Sequence, residues 1–146
     1  ETTETTRRDA GRAHVYRHDG TAFVYEATFM LPGAEVLTND YEFGTAVAMG
    51  DGVAFVAAPN ARCCHVSSSG ASQNNGNGAV YVYERDTSGS WSRTQTLQQT
   101  HLGNNGKFGR SLDTDGERLV IGRYRANSYA GFVPRTGDAF LYQRKH

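Results

Sequence analysis

Three groups of residues in this chain carry side chains that can do chemistry. The first is Cys63-Cys64-His65, which holds both cysteines of the sequence. Adjacent cysteines bond to each other only through a strained small ring. A disulfide to another chain, free thiols, or metal binding with His65 are the other uses open to them. Zinc would need further ligands, and no Cys-x-x-Cys or His-x-x-x-His spacing supplies them. In an oxidising setting an unpaired thiol pair does not persist, which favours the disulfide uses. The second group is Asp113, Asp115 and Glu117, carboxylates at alternate positions around Gly116. They are weak calcium candidates, because calcium wants roughly six to eight oxygens from a loop that wraps it. Asp-Gly is also a standard hairpin turn pair. The third group is Tyr124, Tyr129 and Phe132, aromatics close together in a loop, able to offer a flat platform to a sugar.

Nothing else reads as catalytic. No Gly-x-Ser-x-Gly, His-Glu-x-x-His or phosphate loop occurs. The five histidines, at 14, 18, 65, 101 and 146, are scattered with no carboxylate at a telling spacing. The expectation is a protein that is not an enzyme and has no cofactor, calcium excepted. Lys+Arg and Asp+Glu are 15 each, so the formal charge is zero. That speaks against a nucleic-acid partner and against a polybasic membrane contact. The longest apolar run, Val53 to Pro59, is far below the roughly 20 residues of a membrane-spanning helix.

The elements that must position these groups are strands. Tyr, Phe, Val, Thr and 17 Gly favour strands and tight turns, and no 3.6-residue periodicity is present. Three segments share one pattern: Gly11-Arg-Ala-His-Val-Tyr16, Gly78-Ala-Val-Tyr-Val-Tyr83 and Gly137-Asp-Ala-Phe-Leu-Tyr142. Tyr25 to Leu31 aligns with Trp91 to Leu97 at an offset of 66, and Phe43 to Ala57 aligns with Phe108 to Gly122 at an offset of 65. Recurrence in the same order makes this a repeat protein. Each unit reads as four strands, a to d. Strands b (Val53 to Ala58) and c (Ala79 to Glu84) are apolar almost without a break, as when both faces are buried. Strand d (Trp91 to Leu97) alternates with polar residues, as an outer strand does. In chain order the strands are c, d, then a, b, c, d, then a, b, c. Strands are expected near residues 12–17, 22–30, 44–49, 53–58, 79–84, 91–97, 109–114, 118–122 and 138–144.

Phe43-Gly44, Ala57-Ala58-Pro59, Gly78-Ala-Val-Tyr-Val-Tyr83, Ser88-Gly-Ser-Trp91 and the second opening Phe108-Gly109-Arg-Ser111 together resemble the FG-GAP repeat, the unit of integrin-alpha-like and hyalin-associated β-propellers. The resemblance covers residues 11–146. It implies an all-β fold of four-stranded antiparallel propeller-type blades, with one full unit at 41–97 flanked by partial units at 11–31 and 107–146. Residues 1–10 form a polar N-terminal arm. Phe43 and Phe108 are then equivalent core plugs. Integrin-type repeats carry an Asp-x-Asp-x-Asp-Gly calcium loop; here only Met49-Gly-Asp51-Gly and Asp113-Thr-Asp115-Gly116 stand in its place. Gly122-Arg123-Tyr124 replaces the earlier Ala57-Ala58-Pro59, so the edge of the last unit is expected to differ.

Two loops, residues 60–77 and 123–136, are longer than packing requires, and such loops often carry function. Joining equivalent strands, they should share one face. That face would hold Cys63, Cys64, His65, Tyr124, Tyr129 and Phe132. The resulting expectation is an extracellular or cell-surface structural or adhesive module. Its partners would be other copies of itself or flanking propeller blades. The alternatives are a carbohydrate-binding module with glycans as partners, or an accessory segment of a secreted enzyme.

Overall fold

The computed structural model describes residues 11–31, 41–61, 76–99, 106–124 and 137–144. These form nine strands and no helix. The strands are β1 (Ala13–His18), β2 (Phe23–Phe29), β3 (Val47–Gly50), β4 (Val53–Ala58), β5 (Ala79–Arg85), β6 (Trp91–Gln98), β7 (Ser111–Thr114), β8 (Arg118–Arg123) and β9 (Asp138–Gln143). They make three antiparallel sheets in chain order: β1-β2, β3-β4-β5-β6 and β7-β8-β9.

Two apolar layers hold the sheets together, and the period of two along each strand explains both. On β4, Ala54, Val56 and Ala58 face the first sheet, where they meet Val15, Phe29 and Phe43. The intervening Val53, Phe55 and Ala57 face the third sheet, where they meet Leu119, Ile121 and Phe108. β5 divides in the same way, with Tyr81 and Tyr83 on one side and Val80 and Val82 on the other. All of β4 and the stretch Ala79 to Tyr83 are therefore buried, as a strand covered on both faces must be. Phe29 stacks on Tyr83 with ring centroids 4.0 Å apart, and Trp91 meets Phe29 edge-on at 5.5 Å. β6 is mostly exposed, as expected of an outer strand.

Phe43 and Phe108 occupy equivalent places, one in each layer, both buried. Each is locked by the glycine that opens the strand c of the sheet before it. Gly11 forms a bridge with Phe43. Asn77 accepts a hydrogen bond from the Phe108 amide at 2.8 Å, and Gly78 lies beside it. Gly11 and Gly78 both have positive φ (74° and 89°). A Cβ on Gly11 would fall 1.9 Å from the Phe43 carbonyl oxygen, and one on Gly78 2.1 Å from that of Phe108. Only glycine fits there.

Two expectations need correction. Strands a begin at Val47 and Ser111, two or three residues later than expected. Gly44 and Gly109 have φ near 90°, and the Thr45 amide and hydroxyl both donate to the Glu42 carbonyl, so the chain is still turning there. The alignment of Tyr25 to Leu31 with Trp91 to Leu97 is two residues out. Phe23 pairs with His18 and Phe29 with Ala13, just as Trp91 pairs with Arg85 and Leu97 with Val80. Register against strand c makes Phe23 and Phe29 the equivalents of Trp91 and Leu97. The double-sided burial expected of strands b and c holds for β4 and for Ala79 to Tyr83 of β5 and does not extend to the third sheet. β8 alternates between buried and exposed, and Val120 and Leu141 lie open on the far side.

Candidate functional site

Of the residues proposed for a loop face, Cys63, Cys64, His65, Tyr129 and Phe132 lie outside the described residues. Tyr124 ends the third sheet just past β8 and is half-exposed. Beside it, Arg123 is buried under the Phe140 ring and paired with Asp138. An arginine therefore replaces Ala58 of the preceding unit, and its charge is met by a carboxylate from the neighbouring strand. The edge of the last unit does differ, as the Gly122-Arg123-Tyr124 sequence implied.

The carboxylates around Gly116 serve the β7–β8 turn. Asp115 Oδ1 accepts the amides of Glu117 (3.0 Å) and Arg118 (2.7 Å), while its Oδ2 meets the Arg118 guanidinium at 2.7 Å. These bonds to Arg118 and then Glu117 hold the Asp115 carboxyl at a pKa of about 2. Asp113 Oδ1 accepts the amide of Thr114. A calcium loop would turn these oxygens toward a common centre. Here the turn engages the Asp113 and Asp115 carboxylates with its own amides, and Arg118 sets a cation against the central one. Among the described residues no three Asp, Glu, His or Cys side chains are grouped to hold a metal. Asp19 in the β1–β2 turn is engaged alike, by the amides of Ala22 and Thr21 and the Thr21 hydroxyl, and its pKa also falls to about 2.

Glu26 does different work. Its Oε1 accepts from Arg85 Nε (2.5 Å) and Trp91 Nε1 (2.9 Å), and its Oε2 lies 3.3 Å from Arg17. One carboxylate thus ties the first sheet to the second. The Arg85 bond first, then Trp91, lowers its pKa. Between the second and third sheets, Gln99 donates to the Tyr142 hydroxyl and Arg144 pairs with Glu84.

What the residue-type search missed is the apolar surface left open at the ends of the stack. On the first sheet Tyr16, Phe23 and Tyr25 are more than half exposed, with Tyr16 and Tyr25 edge-to-face and His18 against Phe23. On the third sheet Val120 and Leu141 are exposed. Beside β1, Val47 and Met49 of β3 project from the second sheet into a cleft of about 340 Å³. The strand order signalled the cleft: with strands c and d alone read in the first unit, no described strand covers Val47 and Met49 of β3.

No family model matches the chain, and no curated protein matches it either.

Proposed function

We propose that this chain is an extracellular structural or adhesive module built of FG-GAP-type propeller blades. It works by packing against further blades, supplied by copies of itself or by the rest of a longer propeller. The observation that carries this reading is the contrast between its sheets. The central strands β4 and β5 of the middle sheet are covered on both faces, whereas the two-stranded and three-stranded sheets on either side each leave an apolar face open. Exposed apolar surface of this kind marks an interaction site. The recurring Gly–Phe contact supports the blade reading, since it joins successive units by the same residues at two junctions. So does the approach of adjacent sheets along their first strands, β3 and β7, as blades meet near an axis.

A carbohydrate-binding module is the second reading, and half-exposed Tyr124 at the loop end favours it. Light scattering over a concentration series, run beside a glycan array, separates the two. Mass growing with concentration and a blank array support the packing module. A monomer that binds a defined glycan class supports the sugar reading and overturns the first.

A further inference from the structure

The first sheet consists of β1 and β2 alone, and among the described residues no strand pairs with the other edge of β1. In the second sheet the equivalent strand β5 has β4 on that side, and β3 beyond it. The space they would fill beside β1 is the cleft of about 340 Å³, bounded by Ala13 and Val15 of β1 and floored by Val47, Met49, Ala54 and Val56. Ala54 and Val56 are the buried part of this floor; Val47 and Met49 are 59% and 51% exposed.

The next junction shows what such a floor receives. The 65-residue offset makes Leu112, Leu119 and Ile121 of the third sheet the counterparts of Val47, Ala54 and Val56. Those three are covered by Ala46, Ala48, Val53, Phe55 and Ala57, the near face of the β3–β4 hairpin. The two junctions share their remaining parts: the glycine–phenylalanine contact, and a β-bulge at Val15/Tyr16 in β1 and at Val82/Tyr83 in β5. At one junction the hairpin is present; at the other no described residue pairs with the edge or covers the floor.

We propose that the open edge of β1 and the cleft beside it accept a β-hairpin donated by a partner polypeptide. The donor strand runs antiparallel to β1, and its inward residues are apolar at alternate positions, as Val53, Phe55 and Ala57 are at the next junction. Strand addition of this kind draws affinity from backbone hydrogen bonds to the edge and specificity from alternate side chains in the floor. This rests on the reading of the chain as a packing module, and it names the site and the occupant.

The test adds in trans a synthetic hairpin with the sequence of residues 44–59 and reads hydrogen exchange and affinity on the full chain. The expected result is slowed exchange of alternate amides within Ala13–His18 and saturable binding. Met49→Glu and Val47→Glu each weaken binding by about tenfold or more, as loss of one buried aliphatic contact should. Methylating the peptide nitrogens that face β1 abolishes binding, whereas Leu141→Glu, on the third sheet, leaves it unchanged. Both floor positions are surface positions, so circular dichroism of the variants should match the parent. Binding that survives methylation and both glutamates overturns the proposal, as do β1 edge amides already protected in the free chain. If the hairpin fails to bind while the chain self-associates and Leu141→Glu abolishes that association, the β1 site falls and the packing reading stands. If the hairpin fails to bind a monomer that also excludes apolar dyes, both fall.

Discussion

The two phenylalanines that open the turns before the third and seventh strands were legible as a pair from the 65-residue offset, and each proves to fill one inter-sheet layer. Phe108→Ala should destabilise by about 3–5 kcal/mol, the usual cost of a large buried aromatic, and Phe43→Ala by a comparable amount. Thermal melts check this, and unchanged melting of both variants would contradict their burial. The partners of these rings were less legible, because a glycine's importance lies in space that the sequence does not display. Gly78→Ala would drive a Cβ into the Phe108 carbonyl and also force a side chain into the left-handed region, which costs roughly 1–3 kcal/mol even before the overlap. Gly137 has φ +68, yet a Cβ there meets nothing closer than the Arg123 carbonyl oxygen, at 3.1 Å. Denaturant titrations should therefore rank Gly78→Ala well below Gly137→Ala in stability. Equal losses would mean that the contact with Phe108 carries no weight. Glu26 was invisible to the residue-type search, since its three partners at 17, 85 and 91 come together only when two sheets stack.

At the scale of strands and turns, nearly all strand positions followed from apolar runs and Gly-Asp punctuation, because hairpins are local. The a strands came late because Phe-Gly is itself a turn, and the first d strand was misaligned because several aromatics compete for one pattern and only pairing with strand c decides among them. The turns also set the acid behaviour. Asp19 and Asp115 fall from an ordinary 3.8 to about 2, and Asp86 and Glu26 fall in the same direction. For Asp86 the leading causes are the Ser88 hydroxyl and then the Ser90 amide. A carboxylate whose folded pKa is depressed adds stability above its unfolded value and loses it as the pH falls through the folded one. The melting temperature should therefore be flat above about pH 5 and fall between roughly pH 4 and pH 2. The exposure of the turns keeps each contribution small. Asp115→Asn should lower the neutral plateau slightly and shallow the acid limb, because the stability that the ionised carboxylate adds is then absent at every pH. A melting temperature that rises on acidification would refute the assignment.

At the scale of the whole molecule, the ends of the stack differ from each other. One presents Tyr16, Phe23 and Tyr25; the other presents Val120 and Leu141. Repeat position matches the two ends to the two sides of an internal junction. Tyr16 is the counterpart of Tyr83, which faces the sheet before it, and Val120 and Leu141 are the counterparts of Phe55 and Val82, which face the sheet after them. The far end of one copy therefore suits the near end of the next, and contact between copies through these faces is head-to-tail rather than two-fold. Such contacts close into rings where the rotation permits and otherwise grow as filaments. Two variants separate head-to-tail from two-fold contact: Leu141→Glu blocks one end, and Tyr16→Glu blocks the other, both at exposed positions. Each alone should sediment as a monomer, because every head-to-tail contact needs both faces. Mixed one to one, they should form a heterodimer and nothing larger, since the mixture holds a single compatible pair of faces. A dimer formed by either variant alone would show a two-fold contact. A mixture that stays monomeric while the parent assembles would move the contact to other surfaces, the edge of β1 among them.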